Sequence, residues 1–282
     1  MIISIASGKG GTGKTTVSTN YARVMEDVLL LDCDVEEPNA HLFLKPAFNH
    51  SEKVYTEIPQ VDQEKCIGCG KCAEVCRFRA MTVVGGRVMV FPELCHSCGG
   101  CMVACPEDAV AAGQREIGTI ETGRIGGINL VKGTLRVGEV MAPPLIEKVR
   151  DFAGHDQLVL IDAPPGTSCP VIAAMRDADF VVLVTEPTPF GLNDLVLAVE
   201  TVREIGLPFG LVINRAGLGS DEIYRYVERE NIPVLMEIPF DLEIARAYSQ
   251  GEMLVDKFPE LRGKFLAFHK KIAELTAVGG VQ

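Results

Sequence analysis

The sequence predicts an α/β fold: a doubly wound, mostly parallel sheet flanked by helices, with a small α+β unit inserted into it. Three observations lead there. Six short apolar runs (1–6, 28–32, 158–162, 180–184, 209–213 and 234–238) lack the polar alternation of a half-exposed strand and suit parallel strands buried on both faces. Most are followed by segments of helix length, and strands alternating with helices build parallel sheets through crossover units. From about residue 54 to 115 this rhythm stops, and eight of the ten cysteines appear there. At 282 residues the chain can enclose a large core and still carry such an insert.

Taken in order, Met1–Ala6 is the first strand, and Thr15–Met25, free of Pro and Gly, is the first helix. Between them lies Gly8-Lys9-Gly10-Gly11-Thr12-Gly13-Lys14-Thr15-Thr16, which satisfies G-x-x-x-x-G-K-[ST]. Strand, glycine loop and helix in that order are the context this phosphate-binding motif requires. Glycines let backbone N–H groups close around phosphate oxygens, and the helix N-terminus adds a favourable dipole. Lys14 is expected on the β- and γ-phosphates and the Thr15 hydroxyl on Mg²⁺, so ATP or ADP with Mg²⁺ is the expected ligand pair. The second strand, Val28–Asp32, ends on Asp32-Cys33-Asp34-Val35-Glu36-Glu37-Pro38-Asn39. Carboxylates just past a strand's C-terminal end lie in the crevice where open α/β sheets bind ligands. Leu158–Asp162 is a further strand, and Asp162 is placed to hold the Mg²⁺ water shell. Cys33 is expected to be a small buried residue.

The cysteines are Cys66, Cys69, Cys72 and Cys76, followed 29 positions later by Cys95, Cys98, Cys101 and Cys105, with Pro106 next. C-x2-C-x2-C-x3-C repeated in one chain resembles the bacterial ferredoxin signature for two [4Fe–4S] clusters. In that pattern the fourth thiolate crosses to the other cube. Cluster I is then expected on Cys66, Cys69, Cys72 and Cys105, and cluster II on Cys95, Cys98, Cys101 and Cys76. Arg77 stands where a second proline is expected. Zinc is the competing occupant of paired CxxC motifs. The clusters also serve as staples for a unit too short for a large core of its own.

Glu116–Val140 is glycine-rich with short alternating runs and reads as a hairpin or two edge strands returning from the insert. Pro143–Phe152 begins on two prolines and reads as a helix. The expected boundaries are residues 1–56 and 116–282 for the nucleotide-binding domain and 57–115 for the insert. Further on, Phe180–Val184 is a strand, Gly191–Ile205 a helix, Phe209–Ile213 a strand leading to Asn214-Arg215, and Val234–Ile238 a strand leading to Pro239-Phe240-Asp241. The last helix, Pro259–Leu275, is amphipathic and is expected to pack on the sheet rather than on a membrane.

Lys9 inside the loop gives Lys-Gly-Gly-x-Gly-Lys-Thr-Thr, and residues 162–167 give Asp-x-Pro-Pro-Gly-Thr. Together these resemble the MinD/ParA/Mrp and nitrogenase iron-protein superfamily of P-loop ATPases. The resemblance implies slow, Mg²⁺-dependent ATP hydrolysis that needs a partner for speed. It implies that Lys9 reaches the nucleotide of a facing subunit, making a homodimer, or a heterodimer with a paralogue. It gives Asp34, or failing it Asp32, the orientation of the attacking water. Gly166 becomes the γ-phosphate sensor, Asn214 with Arg215 reads the base, and the Pro239 loop lines the adenine pocket. Cys169 has the spacing of a cluster ligand in the nitrogenase iron protein, but without a second cysteine it is expected to be an unligated thiol, unless Cys33 moves in.

Composition narrows the partners. The net charge of -11 disfavours nucleic-acid binding, which needs clustered Lys and Arg. No apolar run approaches the ~18–20 residues of a membrane span. The chain enters its first strand without a leader pattern, so a cytoplasmic location is expected, where ten cysteines are not disulfides. The leading expectation is an ATPase whose nucleotide cycle controls electron transfer through two clusters to a redox partner. The alternatives are an ATP-dependent cluster carrier or scaffold, and a redox-sensing positioning ATPase.

Overall fold

A computed structural model describes residues 1–25, 27–154 and 157–279. In chain order the elements are β1 (Ile2–Ala6), α1 (Lys14–Met25), β2 (Val28–Asp32), α2 (Ala40–Leu44), β3 (Ala47–Val61), α3 (Lys71–Val75), β4 (Met81–Val84), β5 (Arg87–Val90), α4 (Gly100–Val103), β6 (Val110–Ile125) and β7 (Ile128–Leu135). There follow α5 (Pro143–Arg150), β8 (Leu158–Asp162), α6 (Cys169–Met175), β9 (Phe180–Thr185), α7 (Pro189–Ile205), β10 (Phe209–Ala216), α8 (Glu222–Arg229), β11 (Val234–Pro239), α9 (Leu242–Ser249), α10 (Leu254–Lys257) and α11 (Pro259–Gly279). The chain divides into two compact units: residues 1–51, 120–134 and 146–282, and residues 52–119 with 135–145.

The sheet order is β11-β10-β9-β1-β8-β2-β7-β6-β3, with β4 and β5 forming a separate antiparallel pair. From β11 to β7 the neighbours are parallel. The strand order reverses around β1, which puts the glycine loop at a switch point of the sheet, where such folds bind ligands. The all-apolar strands are buried as their composition demands: β2 and β9 have no exposed residue. α7 shows how locally determined a helix can be. Thr188 Oγ1 accepts from Gly191 N–H at its start, Pro189 occupies the first turn, and Gly206 at φ 77° closes it.

The return from the insert differs from two edge strands. β6 and β7 form a hairpin around Gly126-Gly127, but β7 lies between β2 and β6 and pairs in parallel with β2, from Val28–Ile128 to Asp32–Lys132. Ile128, Leu130 and Val131 are buried, so tertiary burial draws the strand inside where its short alternation suggested an edge. The final helix packs as expected: Leu261, Phe265, Phe268 and Ile272 are buried in the core of the first unit with Tyr21 of α1. Among the described residues no helix is long and apolar enough to cross a membrane.

The second unit contains a structural repeat with the same 29-residue offset as its cysteines. Gly70 and Gly99, at φ 81° and 72°, precede α3 and α4. Asp62 N–H donates to Ala109 O at 2.8 Å, and Phe91 N–H donates to Ala80 O at 2.7 Å. Each donor and each acceptor is displaced by 29 residues from its counterpart, so the two bonds are equivalent in the repeat. A small core of Cys72, Met81, Val88 and Val110 lies within this unit.

Candidate functional site

The first unit carries an open pocket beyond the C-terminal ends of its parallel strands, lined among others by Gly10, Gly11, Gly13, Lys14, Thr15, Thr16, Asp34, Asn214, Arg215 and Pro239. These residues come from segments up to 229 positions apart in sequence, gathered by the strand order. Asn214 at the end of β10 donates Nδ2–H to Thr12 O at 2.8 Å, and its Oδ1 accepts from Arg215 N–H at 3.0 Å. Its amide therefore braces the glycine loop as well as facing the pocket expected to hold the base. Gly13 must be glycine: its φ is 102° and an added Cβ would stand 2.3 Å from Asn214 Nδ2. Gly8 lies against Asp194 of α7 and Thr12 is buried.

Lys14 and Asp34 line the pocket, and the fully buried Asp162 lies close enough for its charge to act on both. Burial holds Lys14 below its usual lysine value, against the pull of Asp162 and Asp34. Asp162 is raised to about 6 by burial, with Lys14, Thr15 and Ser18 pulling it back. Asp34 is likewise raised to about 6, by burial first, then by Asp162, Glu37 and Glu36, and is restrained by Lys14. The Thr15 and Ser18 hydroxyls lie near enough to bias Asp162 toward its charged form, yet neither of its buried carboxylate oxygens is held by a hydrogen bond of ordinary distance and angle. Orphaned buried carboxylate oxygens are costly. With the Thr15 hydroxyl beside them, they have the donor chemistry for a hydrated Mg²⁺, which takes oxygen ligands and keeps several waters. Asp32 differs from Asp34: it is fully buried, and its Oδ2 accepts from Ala40 N–H at 3.0 Å at the start of α2. That bond ties one oxygen of Asp32 to the backbone, its Oδ1 being buried without a partner, whereas Asp34 lines the pocket together with Glu37 and Asp241.

Two expected residues have partners within the single chain. Lys9, expected to reach a facing subunit, donates Nζ to Glu186 Oε1 at 2.7 Å within its own chain, and Arg215 binds the other oxygen of Glu186 at 2.5 Å. Gly166, at φ 101°, donates its N–H to Ser7 O at 3.0 Å and faces a separate small cavity with Val171 and Leu183, while Pro165 lines the main pocket. Phe240 and Asp241 of the expected Pro239 loop line the pocket, whereas Glu186 escaped the sequence analysis, as did Ile244 and Tyr248 of the pocket wall. Its available signal was a carboxylate immediately after a buried strand. Cys33 is buried and its thiol is pushed up by burial, whereas Cys169 is exposed.

The second unit has two small cavities. One is lined by Cys66, Cys69, Cys72 and Cys105, the other by Cys76, Cys95, Cys98 and Cys101. The fourth cysteine of each sequence quartet therefore turns into the cavity of the other. Backbone N–H groups point at three of the sulfurs: Ala80 to Cys76 at 3.3 Å, Ala109 to Cys105 at 3.2 Å and Ser97 to Cys95 at 3.4 Å. A single zinc ion at Zn–S of about 2.3 Å would draw four sulfurs to within about 4 Å of one another. Among the described residues no group of three or more His, Cys, Asp or Glu side chains converges tightly enough for one metal ion. Each quartet lines a small cavity instead, a soft thiolate donor set suited to a larger group.

The chain matches the CobQ/CobB/MinD/ParA nucleotide binding domain over residues 3–255. It is 32% identical over 282 residues to the uncharacterised protein MJ0578 of Methanocaldococcus jannaschii, covering 97% of each chain. It is 24% identical over 289 residues to the cytosolic Fe-S cluster assembly factor NUBP2 of Bos taurus, covering 92% of this chain and 86% of that one. Its fold is similar to that of the septum site-determining protein MinD of Pyrococcus horikoshii OT3, solved with Mg-ADP, at a TM-score of 0.60 and 22% identity over 98% of this chain and 97% of that one. A glycine loop braced by a strand-end asparagine, two acidic strand ends and a match spanning nearly the whole chain agree: the protein belongs to the CobQ/CobB/MinD/ParA nucleotide-binding family.

Proposed function

We propose that this protein is a Mg²⁺-dependent ATPase that holds two [4Fe–4S] clusters and couples its nucleotide state to electron transfer through them. The observation that carries the proposal is the coexistence, in one chain, of the pocket lined by Lys14 and Asp34, with the buried Asp162 acting on both, and the two cavities each lined by four cysteines. In the pocket, backbone N–H groups and Lys14 would hold the phosphates, Asp162 and Thr15 the hydrated Mg²⁺, and Asp34 the attacking water. Phosphoryl transfer asks mainly for such positioning and charge stabilisation. Asn214, Arg215 and the Pro239 loop would surround the base. Lys9, once released from Glu186, would reach the nucleotide of a second subunit, so that ATP favours a dimer. Cysteine thiolates would hold the cubes and the N–H groups of Ala80, Ala109 and Ser97 would tune them; the clusters supply one-electron chemistry. The proposed setting is the cytoplasm, with a protein redox partner and without nucleic acid or membrane.

A second reading has its own support. A relative from Aquifex aeolicus is named an iron-sulfur cluster carrier protein, at 25% identity over 155 residues, and NUBP2 is named an assembly factor. Cys69 and Cys98 are exposed, as a thiol that hands on its iron would need to be. Anaerobic purification followed by iron and sulfide counts, then EPR-monitored titration with ADP and with a slowly hydrolysed ATP analogue, separates the two. About eight irons per chain, retained, with midpoint potentials that shift with nucleotide, is the expected result. Iron that passes to an apo-acceptor on adding ATP would replace electron transfer with delivery.

A further inference from the structure

We propose that the two halves of the cysteine unit are built to hold clusters of unequal potential, with the Cys76/Cys95/Cys98/Cys101 quartet holding the more easily reduced one. This rests on the iron–sulfur reading above and concerns the residues that break its internal repeat. Cluster potential rises with hydrogen bonds to the sulfurs and with positive charge nearby, because both favour the more negative reduced form.

The hydrogen bonds differ first. Ala80 N–H on Cys76 and Ala109 N–H on Cys105 are equivalent in the two halves. Ser97 N–H on Cys95, at 3.4 Å, is extra among the described N–H···S bonds. Its turn is fastened: Ser97 Oγ donates to Glu57 O at 2.6 Å and lies 2.8 Å from Thr56 Oγ1. The equivalent residue in the other half is Gly68, which carries no such side chain; both have positive φ, 54° and 68°.

The charges differ next. Arg79 and Asp108 occupy the same repeat position, each at positive φ (55° and 46°) and each one residue before the N–H that touches a cysteine sulfur. Arg77 and Phe78 stand in one half where Pro106 and Glu107 stand in the other. Glu107 lines the cavity of the Cys66 quartet, whereas Phe78, stacked on His96 at 3.6 Å between ring centres, lines the other. Among the remaining charges, Glu64 and Glu93 hold equivalent positions, Lys71 and Glu74 share α3, and Lys65 pairs with Asp62 at 3.8 Å. Glu57, which also lines the Cys95 cavity, offsets one of the two arginines. Counted by position in the repeat, the net difference is still a cation next to Cys76 and two carboxylates next to Cys105, of which Glu107 also lines its cavity.

The test is an anaerobic redox titration of the full-length, cluster-loaded chain, read by EPR rather than by turnover. The parent should show two one-electron midpoints at least tenfold apart in reducibility, which is 59 mV for one electron. Arg79→Asp should lower the higher midpoint only, and Asp108→Arg should raise the lower one only. Both positions keep a residue type already found there in the repeat, so the backbone conformation is preserved. Ser97→Gly, matching Gly68, should lower the same midpoint as Arg79→Asp. The gap should narrow as salt rises, because the arginines and acids are exposed and screened. Two clusters with equal midpoints, or with the substitutions acting on the opposite signals, would overturn the inference while leaving the iron–sulfur reading intact. Fewer than about eight irons per chain in protein of full nucleotide affinity would overturn both.

Discussion

Lys9 sits between two roles, and Glu186 decides which one the isolated chain adopts. The Lys9–Glu186–Arg215 cluster places a nearly buried carboxylate between two half-exposed cations. In a nucleotide-driven dimer, the lysine must trade that carboxylate for a phosphate. Lys9→Ala should therefore leave nucleotide affinity within about threefold while abolishing ATP-dependent self-association, measured by analytical ultracentrifugation with a slowly hydrolysed analogue. Dimers formed by that variant would assign Lys9 to the fold alone. A second residue-scale expectation concerns pH. Tyr21 Oη lies 2.5 Å from His269 Nδ1, and burial holds the His269 pKa below its usual value. The unfolded chain then binds more protons once pH falls below about 6.5, so this site's contribution is complete above that value and is lost as pH drops through it. The Tm gap between the parent and His269→Gln should be constant from pH 7 to 8 and should shrink toward pH 5.

The elements show where pattern and burial part company. α11 was legible because its apolar residues recur at helical spacing, and four of them fill the core beside Tyr21. Phe268 is fully buried and meets the Tyr21 ring edge-on at 4.9 Å. Truncating it to Ala should cost about 3–5 kcal/mol of unfolding free energy in urea, with nucleotide contacts untouched. A loss under about 1 kcal/mol would mean that the helix packs loosely, as a membrane-seeking helix could. β7 was less legible. Its residues suit an edge or an interior strand equally, and only pairing with β2 distinguishes them. Short helices such as α2, α9 and α10 left too little periodicity to be read in advance.

At the scale of the whole molecule, the nucleotide site and the cysteine cavities belong to separate compact units and should fail separately. Lys14→Ala should lower ATP turnover by at least about 100-fold while keeping the full iron content. Cys69→Ser, at an exposed thiol that disturbs little packing, should lower iron from about eight to about four per chain and leave ATP affinity unchanged. Iron loss in the lysine variant, or lost nucleotide binding in the cysteine variant, would contradict that independence.

By itself the sequence determined what depends on short-range spacing: the glycine loop, the apolar strands and the two cysteine quartets, with the crossing of Cys76 and Cys105 implied by their resemblance to the ferredoxin signature. These signals are local because loop closure, strand burial and thiolate geometry are set within a few residues. Tertiary structure alone decided the placement of β7 inside the sheet, the tethering of Asp32 to Ala40 N–H while Asp34 lines the pocket, the capture of Lys9 by Glu186 and the turning of Gly166 toward Ser7. Each of those depends on which of several nearby partners a group meets first. That choice is made by strand order across a sheet whose paired residues lie up to 177 positions apart, as Ile3 and Phe180 do, and no local spacing encodes it.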